Sequence, residues 1–188
     1  MRFKLTIASL LILGSLSMAQ AATFTFTGNT FTNPDGRFNR PEENGMMLSS
    51  LGSNVPYKVF GFSVTSPGSY TFVLQSLEPV VYDPFLVLYA SSFNPSSPLS
   101  NFVVANDDLA GDTTRSGFTQ TLSTGVNYFL VVTGKIGDGM SLFEDSGAFQ
   151  TTITGPGTIV PVPEPVTMIL LGTGLVGVGA ALRRRHNG

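Results

Sequence analysis

The sequence predicts an all-β fold, a jelly-roll-like antiparallel β-sandwich of about eight strands in residues 22–155. No stretch between Ala22 and Pro156 keeps a 3.6-residue period of apolar residues, which argues against helices in the body. Short runs of apolar and polar residues are instead separated by clusters of Gly, Pro, Asn and Asp. The 15 Phe and 5 Tyr of the chain supply the large apolar surfaces that close such a core.

The predicted strands follow one another with turns between them. Residues 23–27 alternate strictly between Thr and Phe, as a half-buried strand does. Residues 58–66 and 70–75 form a hairpin around Pro67-Gly68. Five further strands are predicted at 84–90, 101–105, 116–122, 126–133 and 147–154.

An N-terminal signal peptide is predicted at residues 1–21. Two of the first four residues are basic, and an uncharged, mostly apolar segment follows over residues 5–16. Ala19 and Ala21 then provide an A-x-A cleavage site, so the mature chain is expected to begin at Ala22. A retained N-terminal anchor is disfavoured because the apolar segment is short and ends in small residues.

The C-terminal part has three segments in a fixed order. Residues 156–165 are rich in Pro and Gly and are predicted to form an extended linker, because proline fixes φ and removes an N–H donor. Residues 166–182 are uncharged and number 17, the lower limit for a transmembrane helix across about 30 Å of hydrocarbon. Residues 183–188 form a basic tail that is expected to stay in the cytoplasm, anchored by Arg183, Arg184 and Arg185.

These segments resemble the PEP-CTERM protein-sorting domain of Gram-negative bacteria. The resemblance implies export by the N-terminal signal and recognition of the tail by a membrane protease of the exosortase type. Processing is then expected near the Pro-Glu-Pro triplet, and the sorting motif consists of Val162, Pro163, Glu164 and Pro165. A plain C-terminal membrane anchor without processing is the alternative.

Three short motifs occur in the central half of the chain. They are Asp83-Pro84-Phe85, Asn106-Asp107-Asp108 and the strand-like run of residues 128–132. In this order they resemble the bacterial pre-peptidase C-terminal (PPC-like) β-sandwich, most strongly over residues 60–154. The resemblance implies a small jelly-roll module that is usually appended to secreted enzymes and aids binding or secretion. Because no protease sequence accompanies the module here, its partner is not carried over.

The residue types that are missing restrict the chemistry. The chain has no Cys, and its only His, His186, lies in the basic tail. Thiol catalysis, Ser-His-Asp triads and His-based zinc sites are therefore excluded from the exported part, and no catalytic residue is assigned. Residues 22–165 carry five basic and all twelve acidic side chains, a net charge of −7. This charge argues against nucleic-acid binding and is compatible with solubility or with divalent cations.

An acidic segment supplies a candidate calcium site. Calcium takes about six to eight oxygen ligands, which loops of this composition can partly provide. The spacing is not that of an EF-hand. Alternatively, these side chains cap turns through hydrogen bonds to the backbone, without an ion. The candidate ligands are Asp83, Asn106, Asp107, Asp108 and Asp112. Elsewhere in the chain, Arg40 before Pro41 is expected to be structural, tying a loop to carbonyl groups or a carboxylate.

The sequence thus predicts an exported, non-enzymatic protein of the cell envelope, outer surface or extracellular (biofilm) matrix of a Gram-negative bacterium. Its C-terminal helix is expected in the inner membrane before processing. The expected partners are an exosortase-type membrane protease, the inner membrane and an exopolysaccharide. Two alternatives stay open: a calcium-stabilised adhesion module, and a secreted glycan hydrolase that uses loop carboxylates such as Asp107 and Asp108.

Overall fold

The computed structural model describes residues 21–78, 82–137 and 146–162. Within these residues the chain forms ten β-strands. The described residues contain no helix that is long and apolar enough to cross a membrane. The strands are β1 (Ala22–Asn29), β2 (Gly36–Phe38), β3 (Val55–Val64), β4 (Gly68–Ser76), β5 (Pro84–Ala90), β6 (Phe102–Asn106), β7 (Arg115–Leu122), β8 (Tyr128–Gly134), β9 (Ala148–Gly155) and β10 (Ile159–Pro161).

The strands form two antiparallel sheets that face each other. Sheet A has four strands in the order β1-β9-β4-β7. Sheet B follows the path β10-β3-β8-β5-β6, and β2 also pairs with β3. Most connections pass from one sheet to the other, as the jelly-roll prediction requires. The predicted all-β sandwich is therefore confirmed.

The main core lies between the two sheets. In β4, Tyr70, Phe72 and Leu74 are fully buried and alternate with residues that are exposed or half-buried. This alternation arises because successive side chains of a strand point to opposite faces. Rings from the two sheets stack on each other, and the ring centroids of Phe26 and Phe60 lie 4.5 Å apart. Aromatic residues thus close the sandwich, as the composition predicts.

Sheet B is apolar on both faces. All residues of β5 except the last are buried, so this strand shows no alternation of apolar and polar residues. Phe85 and Tyr89 belong to a second apolar cluster on the outer face of the sheet. Two loops cover them: the Arg40 guanidinium carbon lies 3.9 Å from the Phe85 ring centroid, and the Phe93 ring lies 4.9 Å from that of Tyr89.

The eight predicted strands all correspond to observed strands, and their ends differ by at most three residues. The sequence does not predict β2 or β10, which are three residues long and pair with β3. Because β10 lies inside the predicted linker 156–165, the sandwich extends further along the chain than expected, to Pro161. The predicted signal peptide up to residue 20, the transmembrane helix 166–182 and the basic tail 183–188 lie outside the described residues.

Candidate functional site

Three of the five candidate calcium ligands meet at one end of sheet B. Asp83 precedes β5, while Asp107 and Asp108 follow β6. Since β5 and β6 are antiparallel neighbours, the start of one strand lies beside the end of the other. β8 pairs with β5 on its other side, and Lys135 directly follows β8 at the same end. We call these four residues the carboxylate–lysine cluster.

The Lys135 ammonium group lies among the three carboxylates. Its Nζ atom is 3.0 Å from Oδ2 of Asp107, 3.4 Å from Oδ2 of Asp83 and 3.8 Å from Oδ2 of Asp108. One oxygen of each carboxylate lies within 4.8 Å of the others. The side chains are only 22–28% exposed, so solvent and salt screen these charges less than on an open surface. One ammonium group faces three carboxyl groups, so the four side chains carry a net negative charge when all are ionised.

The second oxygen of each carboxylate has no partner within the described part of the chain. The Oδ1 atoms of Asp83, Asp107 and Asp108 are buried, and none of them accepts a hydrogen bond there. A buried acceptor that lacks a donor costs about 1–3 kcal/mol. Three such atoms in one cluster favour either protonation of a carboxyl group or the binding of a cation.

Arg40 supports the cluster from the apolar side of sheet B. Its side chain is buried, and Nε donates a hydrogen bond to the Lys135 carbonyl oxygen at 3.0 Å. Nη1 donates to the Pro41 carbonyl oxygen, also at 3.0 Å. The guanidinium group lies over the Phe85 ring, where the negative face of the ring attracts a cation. The expected structural role of Arg40 is confirmed, and its position fixes the backbone that carries Lys135.

The surroundings shift the pKa values within the cluster. Burial is the main cause that raises the pKa of Asp83 to about 6; the charges of Asp107 and Asp108 add to this effect, and Lys135 opposes it. Burial also raises the pKa of Asp107. Burial favours the neutral form of Lys135, but the three carboxylates outweigh it, so the pKa of Lys135 is raised. The cluster is therefore expected to take up a proton in weakly acidic solution.

Calcium fits part of this arrangement. Calcium–oxygen distances of about 2.3–2.6 Å allow two ligands of one ion to be up to about 5.2 Å apart. The 4.8 Å span of the three carboxylate oxygens satisfies this limit. Lys135 lies among the same oxygens, however, and its positive charge would compete with an ion. Calcium would therefore have to displace the ammonium group.

The other two candidate ligands have different partners. Oδ1 of Asn106 accepts a hydrogen bond from the Gly117 backbone N–H at 3.0 Å. Oδ1 of Asp112 accepts from the backbone N–H and the hydroxyl group of Thr114, at 3.0 and 2.7 Å. The contacts of Asp112 match the alternative expectation, in which side chains cap turns without an ion, whereas Asn106 links β6 to β7.

Sequence reasoning missed two residues around the cluster. Lys135 directly follows the most strand-like run of the chain, but nothing in the sequence indicates that this strand lies beside Asp83. Glu43 accepts a hydrogen bond from the Asp107 backbone N–H at 2.6 Å, across 64 residues of sequence. No local pattern predicts such a contact.

The outer face of sheet A is a second candidate surface. The register aligns four threonines across all four strands, and their hydroxyl oxygens are paired at 3.3 Å (Thr23 and Thr154) and 3.0 Å (Thr71 and Thr119). A second hydroxyl pair, Thr25 and Thr152, lies two residues further along β1 and β9. The outward positions of these strands hold no carboxylate. We call this flat, hydroxyl-rich surface the threonine face.

The sorting motif begins where the sandwich ends. The Val162 backbone N–H donates a hydrogen bond to the Gly61 carbonyl oxygen at 2.9 Å, directly after β10. Ala22 and Ile159 line the same small surface depression, so the chain enters and leaves the sandwich in one region. Ala21 of the predicted cleavage site is also described. The remaining residues of the predicted sorting, anchoring and cleavage signals lie outside the described residues; they are Ala19, Pro163, Glu164, Pro165, Arg183, Arg184 and Arg185.

The PEP-CTERM protein-sorting motif matches residues 161–185. The predicted PEP-CTERM sorting motif is therefore confirmed. The motif implies an exported protein that an exosortase-type protease sorts to the cell envelope. No curated protein matches the chain at a significant level.

Several solved structures are similar to the sandwich. The pre-peptidase C-terminal domain of a Bacillus anthracis collagenase is 13% identical, with a TM-score of 0.41 over 70% of this chain and 88% of that chain. A CBM35 of Abf62 from Cellvibrio japonicus is 15% identical, with a TM-score of 0.39 over 77% and 99%. Aeromonas hydrophila PliG, a periplasmic inhibitor of g-type lysozyme, is 12% identical, with a TM-score of 0.35 over 73% and 88%. A pre-peptidase C-terminal domain is thus among the similar structures.

Proposed function

We propose that this chain is a non-enzymatic protein of the cell envelope or extracellular matrix, which an exosortase-type protease processes near residues 163–165. The observation that carries the proposal is the position of the sorting motif, which follows the last strand of a closed sandwich without a long spacer. A protease that acts after Pro161 leaves the folded body intact. The body is then the part that functions outside the inner membrane.

The charge and composition of the body support a role without catalysis. It contains neither Cys nor His, so acid–base chemistry would have to use carboxylates, Lys or Tyr. In the carboxylate–lysine cluster the ammonium group of Lys135 lies within 3.8 Å of all three acidic side chains. Lys135 thus holds the carboxylates in ion pairs and opposes the effect of burial on the pKa of Asp83 and Asp107, which disfavours the alternative of a glycan hydrolase.

The matrix component that the body binds is proposed to be an exopolysaccharide, and the threonine face is the proposed surface. Its hydroxyl groups donate and accept hydrogen bonds, as sugar hydroxyl groups do. Strands about 4.8 Å apart present these groups as a flat, regular array, which suits an extended polymer better than a small ligand. The absence of carboxylates from the outward positions of sheet A avoids repulsion of an anionic polysaccharide.

Two experiments test this function. Mass spectrometry of the protein from a host that contains an exosortase should find a new C-terminus near residues 163–165, and none in a host that lacks the protease. Binding of the host exopolysaccharide should be lost in Thr71→Glu with Thr152→Glu, which adds two charges to the threonine face. Ser92→Glu, an exposed change in the loop between β5 and β6, is the control. An intact tail in both hosts, or equal binding by all variants, would contradict the corresponding part of the proposal.

A calcium-stabilised module is the second candidate function, and it is favoured by the three buried carboxylate oxygens without a donor in the described residues. Calcium that binds only the folded protein raises its thermal midpoint in proportion to the logarithm of the ion concentration. A chelator should lower the midpoint of the protein as isolated from its host. An identical midpoint with calcium and with chelator would rule out tight binding.

A further inference from the structure

A narrow apolar groove lies on the outer face of sheet B, beside the end of β10. Its volume is about 250 Å³, below the roughly 300–1,000 Å³ of typical small-molecule pockets. Val162, the last described residue, also lines the groove. The remaining walls are mostly aromatic and apolar and include Tyr57, Val59, Gly61, Phe93, Pro95 and Phe129.

The next hydrogen-bonding position of β3 beyond Val162 is already occupied. The register of β10 and β3 would place Glu164 opposite Val59, in the next position that exchanges hydrogen bonds. The Val59 N–H already donates to Oδ2 of Asp35 at 2.8 Å. The Val59 N–H is therefore not available to extend the ladder beyond Val162.

The exit path leads onto the floor of the groove. Gly61 has no side chain, and a Cβ atom there would lie 3.3 Å from the Val162 carbonyl oxygen and 3.4 Å from the Phe129 ring. The carbonyl group to which Pro163 is bonded therefore lies against the outer face of β3. Residue 163 consequently starts next to the groove, before any free chain has been traversed.

The chemistry of the next three residues suits this groove. A Pro-Glu-Pro segment favours the polyproline II conformation, which extends about 3.1 Å per residue, so that three residues span about 9 Å. Aromatic-lined grooves recognise proline-rich segments in this conformation, because the rigid segment loses little entropy on binding. Phe93, Phe129 and Tyr57 provide such walls.

We propose that residues 163–165 dock in this groove, so that the sandwich holds its own sorting motif against its surface. The consequence of docking for processing rests on the proposed function. A docked triplet is inaccessible to a processing protease, so cleavage requires that the triplet first leaves the groove. The short connection makes docking an intramolecular event with a high effective concentration, although each contact is weak. The body would therefore slow its own processing.

Disulfide trapping tests the docking directly, because the full chain contains no Cys of its own. Ser92→Cys with Glu164→Cys joins the rim of the groove to the triplet. Thr119→Cys with Glu164→Cys is the control, because Thr119 is exposed on the other sheet. In membranes from a host without exosortase, mild oxidation should give several-fold more disulfide in the first pair, measured by mass spectrometry. Equal amounts in both pairs, or no disulfide in the first, would overturn the proposal.

Filling the groove should release the triplet. Gly61→Leu, added to the first cysteine pair, is expected to abolish the disulfide, whereas Ser63→Leu on the same face of β3 should leave it unchanged. Phe129→Ser, which removes one wall, is the second variant in case Gly61→Leu does not fold. A disulfide that persists in both groove variants would overturn docking. The disulfide measurements need no exosortase, so they test docking independently of processing. A triplet that is trapped by the disulfide but is never processed in a host that contains an exosortase would contradict the proposed function instead.

Discussion

Replacement of Asp83 by asparagine tests the electrostatic description of the carboxylate–lysine cluster. The pKa of Asp83 is raised from an ordinary 3.8 to about 6, chiefly by burial. The folded protein therefore holds more protons than the unfolded chain between these two values. It follows that stability falls as the pH rises through this window and Asp83 ionises. Asparagine cannot ionise, so Asp83→Asn should be more stable than the parent protein above pH 6.

The size of the effect follows from the shift in pKa. A shift of about two units corresponds to at most about 3 kcal/mol, at roughly 1.4 kcal/mol per unit. The side chain is 26% exposed, and solvent screening reduces this figure to about 1–2 kcal/mol. For a domain of this size, such a gain raises the thermal midpoint by about 3–8 °C.

The assay is thermal unfolding of both proteins in the presence of a chelator, at about pH 7.5 and about pH 3.5. The variant should melt higher at the upper pH, and most of the difference should be lost at the lower pH, where Asp83 is protonated in the folded state and mostly protonated in the unfolded state. Asp112→Asn is the control with the opposite sign, because hydrogen bonds from Thr114 lower the pKa of Asp112. A difference between the parent protein and Asp83→Asn that is the same at both pH values would refute the reasoning.

Three further changes have distinct expected results. Lys135→Met should lower stability without calcium and increase the rise in thermal midpoint with calcium, because the competing charge is gone; an unchanged calcium response would contradict the competition. Arg40→Met should cost about 2–4 kcal/mol in denaturant unfolding, because two carbonyl groups lose their donor, and a loss below about 0.5 kcal/mol would refute this role. Gly155→Ala should melt far below the parent protein, because its Cβ would lie 2.1 Å from the Tyr70 ring; equal midpoints would contradict this packing.

The sequence predicts those strands whose pattern is local. The alternation of Thr and Phe over residues 23–27 predicts one strand, and the continuous apolar run over residues 84–90 predicts another. Both strands are observed. The strands β2 and β10 have no such pattern, because three residues are too few to show a period. Their stability comes from pairing with β3, which for β10 lies about a hundred residues away in sequence.

The candidate site was predictable only in part, for a related reason. The acidic residues stand out in sequence because four oxygen side chains fall within residues 106–112 and Asp83 directly precedes a predicted strand. Which strand ends meet depends on the order of strands in sheet B, and this order is not visible in a single sequence. Lys135 and Glu43 were missed for that reason. The threonine face could also be predicted only in part. The alternation of Thr within a strand is visible in the sequence, but the alignment of Thr across four strands depends on the register.

The edge of β3 is covered along its length by three different pieces of the chain. β2 pairs with Val55–Tyr57, the Asp35 carboxylate binds the Val59 N–H, and β10 pairs with the end of the strand. An open strand edge invites pairing with other molecules, which leads to aggregation. Cleavage near the Pro-Glu-Pro triplet would remove nothing upstream of it, so β10 would stay in place. A processed molecule would thus keep this edge protected even where many copies are crowded together outside the cell.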